Sequence, residues 1–280
     1  MSNTTRRTVL ALAAAAPLVL ATGAMAQTAE AETGTLPGTG KAAVVTGSSR
    51  GIGAATARRL ARDGYAVTIN YLTNRDLAAQ VVNDIEAAGG RAISRQADVA
   101  NPAQVIALFD AHDEAFGGVD VVVSNAGIMN TGYFADFTDE AFDRLIATNI
   151  KGGFNVLREA ARRTRDGGRI INLSSTIILQ KPAGGGAYAA TKSAQDMFAG
   201  SLAKELAGRN ISVNAIAPGA VDTDLLRSQG SPEVLQGAAD MTPYGRLGTP
   251  EDIANCIAAL CSGDGLWING QLIFVNGGIA

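Results

Sequence analysis

Short apolar runs alternate with segments of helical period along the chain from Lys41 onward. The apolar runs carry few polar residues, a pattern typical of strands buried on both faces of a parallel sheet. They predict strands at 42–46, 66–71, 91–97, 119–124, 169–174, 211–216 and 271–275. The intervening pattern predicts helices at 51–63, 75–88, 102–116, 139–164, 187–208 and 250–261. This alternation predicts an α/β fold: a single-domain, Rossmann-type, doubly wound parallel sheet of about seven strands flanked by helices.

A functional site is expected along one edge of that sheet. Ligands of doubly wound sheets bind outside the carboxyl ends of the strands. The segments that follow the predicted strands should therefore lie together, and they are 46–47, Asp98, 124–127, 174–175 and 218–219.

The first of these segments leads into a glycine-rich loop with the spacing G-x-x-x-G-x-G. Gly47, Gly51 and Gly53 stand between the first predicted strand and the first helix. Glycines there let the backbone approach a pyrophosphate, and the following helix N-terminus attracts its negative charge. The loop therefore predicts a dinucleotide site.

A second pattern pairs a phenol with an amine. Tyr188 and Lys192 are four residues apart in a predicted helix, so their side chains share one face. Ser175 precedes the tyrosine by thirteen residues and follows a strand. Together with the glycine loop and Asn149, this spacing predicts a catalytic cavity.

These motifs resemble the short-chain dehydrogenase/reductase family over about residues 41 to 280. Asn125 lies in Ser124-Asn125-Ala126-Gly127, which is similar to the family's Asn-Asn-Ala-Gly motif except at Ser124. The resemblance implies a catalytic tetrad of Ser175, Tyr188, Lys192 and Asn149. It also implies a homotetramer formed partly through the helices at 139–164 and 187–208. The cofactor contacts it implies are Gly47, Ser49, Arg50, Gly51, Ile52, Gly53, Asp98, Val99, Asn125, Ala126, Gly127, Tyr188, Lys192, Pro218, Gly219, Val221 and Thr223.

Hydride transfer to a carbonyl explains the need for such residues. The carbonyl oxygen gains negative charge and needs a proton donor, a role that tyrosine can fill. The ammonium of Lys192 is expected to draw the pKa of Tyr188 down from its ordinary value near 10. By resemblance, Lys192 also holds the nicotinamide ribose, Ser175 orients the substrate oxygen, and Asn149 holds a water that links Lys192 to solvent.

The region after the second strand favours NADP(H) over NAD(H). NAD enzymes of this fold carry an acid there for the ribose 2′-hydroxyl, but residues 70–75 contain none. Arg50, inside the glycine loop, is placed to bind a 2′-phosphate.

Composition narrows the classes of partner. The net charge of −3 shows no basic footprint for nucleic acid, and no metal-ligand spacing is found. His112, the one histidine, is expected on the surface, and Asp222 and Asp224 are expected to cap a short helix. The substrate is expected to be a small carbonyl compound or alcohol.

The N-terminal residues resemble an export signal. Arg6 and Arg7 precede an apolar run and a small-x-small sequence at 24–26, the layout of a twin-arginine signal over residues 1–26. Residues 27–40 are expected to be a flexible linker. No stable membrane span is expected, and the predicted location is the periplasm. The alternative is translation from Met25 and a cytoplasmic enzyme.

Two further functions remain open at this stage. The motif pattern is closest to 3-oxoacyl-thioester reductases and glucose 1-dehydrogenase-like members, so a cytoplasmic product would favour the 3-oxoacyl-[acyl-carrier-protein] reductase of fatty-acid synthesis. A non-catalytic nicotinamide sensor is the alternative of another class, although such proteins typically lose the tyrosine or the lysine that this chain keeps.

Overall fold

Seven parallel strands form one sheet, as the apolar pattern predicts. The computed structural model describes residues 35–265 and 267–279. Its strands are β1 (Ala42–Val45), β2 (Ala66–Tyr71), β3 (Arg91–Gln96), β4 (Val119–Ser124), β5 (Thr164–Leu173), β6 (Ser212–Pro218) and β7 (Leu272–Val275). They are hydrogen-bonded in the order β3-β2-β1-β4-β5-β6-β7. The order reverses between β1 and β4, which is where ligands of such sheets bind.

Helices connect the strands. They are α1 (Gly51–Arg62), α2 (Arg75–Ala87), α3 (Pro102–Phe116), α4 (Asp139–Leu145), α5 (Gly153–Arg163), α6 (Ile177–Gln180), α7 (Gly186–Glu205), α8 (Asp224–Arg227), α9 (Pro232–Asp240) and α10 (Pro250–Cys261). A π-helical segment, Ile146–Gly152, joins α4 to α5. In the described residues, no helix combines the length and apolarity needed to cross a membrane.

The two faces of the sheet bury separate cores. Alternate side chains of a strand point to opposite faces. Accordingly, Ala43 and Val45 belong to the core beneath α1, α2 and α10, whereas Val44 belongs to the core beneath α3, α5 and α7. Burial on both faces explains why the strand sequences contain so few polar residues.

The helix predicted at 139–164 is interrupted. The π-helical segment widens its middle, and the chain leaves the helix at Arg163. Next, β5 starts at Thr164, earlier than the predicted 169. Its pairing with β4 is irregular, because Val119 pairs with Thr164 while Val121 pairs with Arg169.

Two further expectations are wrong. The predicted linker extends too far, because Gly38 is buried, donates a backbone hydrogen bond to Asp63 (2.8 Å) and packs against Tyr65. The predicted signal peptide and residues 27–34 of the predicted linker lie outside the described residues. His112 is fully buried instead of exposed, because it continues the core-facing stripe of α3 that contains Val105 and Leu108.

Candidate active site

The glycine loop connects β1 to α1 in a conformation that depends on its glycines. Gly47 and Gly51 have φ values of +62° and +56°, which L-residues rarely adopt. At Gly53 a Cβ atom would lie 2.5 Å from the Gly47 carbonyl oxygen and 2.6 Å from Asn125 Nδ2. A side chain at Gly53 would therefore push the loop away from β4.

The first turn of α1 presents unpaired backbone amides to this loop. Arg50 precedes the helix, and its side chain makes no capping hydrogen bond. The first amides of an α-helix have no partners within the helix, and they form an anion site with the helix dipole. The loop is therefore suited to a pyrophosphate.

Buried side chains hold the loop against the neighbouring strands. Asn125 Nδ2 donates to the carbonyls of Thr46 (2.8 Å) and Gly47 (3.1 Å), and Thr46 Oγ1 accepts from the amides of Asn125 (3.0 Å) and Ala126 (3.1 Å). From β2, Asn70 Oδ1 accepts from the Gly47 amide (3.1 Å), and its Nδ2 donates to Ala97 (3.0 Å). Asn70 is a site residue that none of the motifs predicts, although an asparagine inside an apolar strand is a detectable signal.

A cavity of about 280 Å³ lies above the loop at the strand-order reversal; we call it the dinucleotide cleft. Twelve of the predicted cofactor contacts line it: Gly47, Ser49, Arg50, Gly51, Ile52, Gly53, Asp98, Val99, Asn125, Ala126, Gly127 and Thr223. The cleft also includes Asn70 to Asn74 at the end of β2.

A second cavity of about 250 Å³ shares Ile52, Asn125, Gly127, Thr223 and Leu225 with the cleft; we call it the apolar pocket. It contains the remaining predicted contacts, Pro218, Gly219, Val221, Tyr188 and Lys192, together with Ser175. Its wall includes the side chains of Met129, Ile177, Pro182, Leu225 and Leu226. Among the described residues, Lys192 is the one charged side chain that lines it. The arrangement suits a neutral, apolar substrate.

Tyr188 and Lys192 are both buried, and burial dominates their titration. Burial raises the pKa of Tyr188 to about 12, although the hydrogen bond with Ser175 opposes the rise. Burial also lowers the pKa of Lys192 to about 8. Lys192 Nζ lies 5.8 Å from the centroid of the Tyr188 ring and donates to the Leu173 carbonyl (2.9 Å). The expectation that Lys192 lowers the pKa of Tyr188 is therefore wrong for the chain without cofactor.

Asn149 lies behind the pocket, in the π-helical segment. Its Nδ2 donates to the Ile128 carbonyl (2.9 Å) and to Thr191 Oγ1 (3.0 Å), while its Oδ1 accepts from the Ile128 amide (2.9 Å). Asn149 therefore joins the segment after β4 to α7. It does not line the two cavities described above.

The residues that surround the cleft and the pocket fit a nicotinamide dinucleotide. A glycine loop that a Cβ would block and an uncapped helix N-terminus accommodate the pyrophosphate, and the cleft is continuous with a pocket that contains a buried phenol and amine. When bound, such a cofactor supplies or accepts a hydride.

Comparisons with known proteins agree with this geometry. The family model described as enoyl-(acyl carrier protein) reductase matches residues 47–280. A short-chain type dehydrogenase/reductase of Picea abies is 42% identical over 249 residues, which cover 85% of this chain and 92% of the relative. This chain belongs to the short-chain dehydrogenase/reductase family.

Two other members of the family have a similar sequence identity to this chain. Versicolorin reductase stcU of Emericella nidulans is 42% identical over 251 residues, covering 85% of this chain and 95% of that protein. A short-chain dehydrogenase from Burkholderia cenocepacia J2315, solved in complex with NADP, is 39% identical with a TM-score of 0.82. That match covers 88% of this chain and 99% of the solved one. As a short-chain dehydrogenase/reductase, the chain is an NAD(P)-dependent oxidoreductase that acts on alcohol and carbonyl groups.

In this short-chain dehydrogenase/reductase, the roles predicted for Asp222 and Asp224 beside the cleft are wrong. Thr223, not Asp222 or Asp224, caps α8, because its hydroxyl accepts from the Leu226 amide (3.3 Å). Asp222 instead pairs with Arg227 (2.7 Å). Asp224 faces the cleft, and its carboxylate lies 3.5 Å from the Arg50 guanidinium. The predicted phosphate-binding arginine thus has an acidic neighbour that the sequence analysis did not anticipate.

Proposed function

We propose that this chain is an NADP(H)-dependent carbonyl reductase, and in reverse an alcohol dehydrogenase, with Tyr188 as its proton donor. One observation carries the proposal: the buried phenol of Tyr188 and the hydroxyl of Ser175 line the same apolar pocket, which opens into the dinucleotide cleft. A carbonyl group in this pocket lies beside both a proton donor and the nicotinamide end of the cleft.

Tyr188 is in the protonation state that reduction needs. Its phenol is protonated at neutral pH, because its pKa of about 12 lies well above 7. A carbonyl oxygen needs a proton as it gains negative charge. Tyr188 donates that proton from its Oη, and the Ser175 hydroxyl donates a hydrogen bond to the same oxygen and orients it.

Lys192 and Asn149 support this step from behind the pocket. Lys192 holds the nicotinamide ribose hydroxyls, and its amine, with a pKa lowered to about 8, exchanges protons readily near neutral pH. Asn149 fixes α7 against the segment after β4 through Thr191 and Ile128. The water that the family resemblance assigns to Asn149 returns the proton through Lys192.

The preference for NADP(H) rests on the adenosine end of the cleft. The lining residues from Asn70 to Asn74 carry no carboxylate, and Arg50 extends from the glycine loop beside them. A guanidinium forms strong charge-assisted hydrogen bonds with a phosphate. The similar Burkholderia enzyme was solved with NADP, which supports the same preference here.

Purified protein should be assayed for NADPH oxidation at 340 nm with apolar ketones, aldehydes, sugars and 3-oxoacyl thioesters. We expect turnover with apolar ketones or aldehydes and weaker activity with NADH. Tyr188→Phe should lower kcat by about 10²–10⁴-fold, as expected for loss of general acid catalysis, while the Kd of NADPH stays nearly unchanged. Tyr244→Phe is the matched control, since this exposed phenol lines neither the cleft nor the apolar pocket.

The assay distinguishes the proposed function from its two alternatives. NADPH binding without oxidation of any carbonyl would favour the sensor, and activity confined to oxoacyl thioesters would favour the fatty-acid reductase. Full turnover by Tyr188→Phe would refute the proton-donor role.

We further propose that the enzyme assembles as a homotetramer through α5 and α7. Phe154 on α5 and Met197 on α7 are 48% and 71% exposed, and the Phe154 ring lies 6.3 Å from that of Phe198. Exposed apolar side chains on adjacent helices favour contact with a second copy. Light scattering should give a tetramer that Met197→Glu dissociates, whereas the substitution of exposed Val234 by Glu should leave it intact.

We propose export to the periplasm by the twin-arginine-type signal. The support is the sequence of residues 1–26. Mass spectrometry of the native protein should give an N-terminus at Gln27, and a protein that begins at Met25 would refute export.

A further inference from the structure

A cluster of buried amides lies behind the tetrad. Gln195, on α7, donates through Nε2 to the backbone carbonyl of Asn149 and accepts through Oε1 from Asn172 Nδ2 (2.7 Å). Asn172 Nδ2 also donates to the Gln195 backbone carbonyl (2.9 Å). Both amide side chains are almost fully buried. Gln195 thus links three separate elements: α7, β5 and the π-helical segment.

The backbone around Asn149 is shaped to receive this amide. The helix widens to π geometry over Ile146–Gly152, a feature that is frequent at functional sites. Just beyond it, a Cβ at Gly153 would lie 2.6 Å from Gln195 Oε1 and 2.7 Å from Nε2. The absence of a side chain at Gly153 therefore gives Gln195 the space to reach the Asn149 carbonyl.

The same cluster extends to Lys192. Gln195 follows Lys192 by three residues on α7, about one helical turn. Asn172 directly precedes Leu173, whose carbonyl accepts from Lys192 Nζ (2.9 Å). Ser174 Oγ in turn donates to the Lys192 backbone carbonyl (2.9 Å). Residues at the end of β5 therefore hydrogen-bond to both the backbone and the amine of Lys192. Gln195 hydrogen-bonds to the same strand through Asn172.

We propose that Gln195 is a positioning residue that sets the relative placement of Asn149 and Lys192 by holding the π-helical segment, β5 and α7 together. The inference rests on the function proposed above and adds a residue that acts through the tetrad without touching substrate or cofactor. Its geometric basis is that the Asn149 side chain is already bonded to Ile128 and Thr191, whereas the Asn149 backbone carbonyl accepts a separate hydrogen bond from Gln195.

Gln195→Leu removes both hydrogen-bonding atoms at similar volume and is the main test. We expect kcat to fall about 10- to 100-fold, the range for a displacement of catalytic groups by about 1 Å, while the Kd of NADPH stays unchanged. The kcat should be measured per folded protein, with folding checked by circular dichroism. An unchanged kcat, or a loss that only matches the unfolded fraction, would overturn the proposal.

Gln195→Glu gives a readout that a general loss of packing cannot produce. A protonated carboxyl donates to the Asn149 carbonyl and so replaces the amide, whereas an ionised carboxylate has no donor and repels that oxygen. The kcat of Gln195→Glu should therefore be near that of the unsubstituted enzyme at low pH and fall as pH rises. Burial raises the pKa of a carboxyl, so this limb should lie above the ordinary value near 4.3. A pH profile identical to that of the unsubstituted enzyme would contradict the proposal.

Asn214→Leu is the matched control. Asn214 is a fully buried amide on β6 whose Nδ2 donates to the Ile268 carbonyl (2.7 Å) and whose Oδ1 accepts from the Gln271 amide (3.0 Å), so its side-chain hydrogen bonds involve neither Gln195 nor the tetrad. This variant should lose stability without any change in kcat per folded protein or in its pH profile. An equal loss of kcat in Asn214→Leu would reduce Gln195 to a packing residue and overturn the proposal.

A substrate-free measurement separates this inference from the proposed function. The pKa of Lys192 can be followed by NMR of ¹³C-labelled lysine, with Lys192→Met assigning the signal. We expect Gln195→Leu to shift that pKa and Asn214→Leu to leave it at about 8. Absence of turnover in the unsubstituted protein would refute the proposed function alone, whereas an unshifted Lys192 pKa would refute the positioning role.

Discussion

The glycine-loop region and the tetrad region are both rich in buried polar groups, but they differ in whether those groups can gain or lose a proton. Around the loop, Thr46, Asn70 and Asn125 are neutral and hydrogen-bond to backbone atoms of neighbouring strands. In the tetrad region, burial acts on two titratable groups, raising the pKa of Tyr188 and lowering that of Lys192.

The buried groups of the loop region stabilise the fold, whereas those of the tetrad region serve proton transfer. A buried neutral amide with its hydrogen bonds made stabilises the fold, because leaving its backbone partners unpaired would cost about 1–3 kcal/mol each. A buried ammonium destabilises the fold unless an opposite charge compensates it. The loop region is therefore built to keep its shape, whereas the tetrad region contains a buried amine whose charged form is destabilised, so that it releases its proton near neutral pH.

Gly53→Ala should have the largest effect and would break the loop region. The added Cβ meets the Gly47 carbonyl oxygen at 2.5 Å and the Ser48 Cα at 2.8 Å, so the backbone must move. We expect a loss of about 3 kcal/mol in the free energy of unfolding and a large rise in the Kd of NADPH. Urea unfolding and fluorescence titration measure both. Gly237→Ala, an exposed helical site with open space around it, should instead stabilise by about 0.5–1 kcal/mol. Normal NADPH binding by Gly53→Ala would show that the loop is not rigid.

Lys192→Met should abolish turnover and stabilise the protein. The pKa of Lys192 falls from 10.5 to about 8 on folding, so the unfolded chain binds more protons between those values. The destabilisation is therefore complete below pH 8 and disappears as pH rises to 10.5. Its removal at pH 7 should add up to about 3 kcal/mol to the free energy of unfolding, and less at pH 9.5.

Lys204→Met, on the exposed face of the same helix, is the control and should change stability little at either pH. An equal gain for Lys192→Met at both pH values would mean that better packing, not removal of a buried charge, explains the stabilisation.

The fold was largely predictable because one regular signal determines it. Strands buried on both faces carry apolar runs, and the predicted β2 and β4 agree with the structure at both ends. The π-helical segment was not predictable, because its sequence continues an ordinary helical pattern and its contact with Gln195 joins residues 46 positions apart in the chain. The short helix expected beside Asp222 and Asp224 is α8, but its bounds and its cap could not be predicted, because four residues are too few for a period to show.

In the candidate site, too, local features were predictable and features that depend on the folded surroundings were not. The glycine spacing and the Tyr188–Lys192 spacing are local, so the sequence places these residues on the correct edge. The predicted direction of the Tyr188 pKa shift was wrong, because burial is its largest cause and burial is a property of the folded surroundings. The contact between Arg50 and Asp224 also escaped prediction, since 174 residues separate them.

Arg50→Ala tests whether the glycine-loop region, which holds its shape through neutral groups, also uses a charged side chain to bind the 2′-phosphate of NADPH. We expect the Kd of NADPH to rise about tenfold, equivalent to about 1.4 kcal/mol, with little change for NADH, because only NADPH carries a 2′-phosphate. Asp224→Asn should slightly lower the Kd of NADPH by removing the carboxylate 3.5 Å from Arg50, although exposed pairs contribute only about 0–1 kcal/mol. An equal rise in Kd for both cofactors would show that Arg50 shapes the loop instead of binding the 2′-phosphate.

Substitution of His112 should give the smallest effect, a change in the pH dependence of stability. It tests whether this titratable group is buried for the stability of the fold and not for catalysis. Burial, the largest influence, lowers its pKa, while Asp113 and Asp120 oppose the shift. The neutral ring makes hydrogen bonds with Thr68 Oγ1 (2.8 Å) and the Gly118 carbonyl (3.3 Å). Because the unfolded chain binds a proton more readily below the ordinary pKa near 6.5, stability should fall as pH drops, by at most about 0.7 kcal/mol between pH 7 and pH 6. His112→Gln should remove this slope, whereas Thr68→Val, which keeps the imidazole, should retain it. An identical pH dependence in His112→Gln would assign the acid sensitivity to other groups.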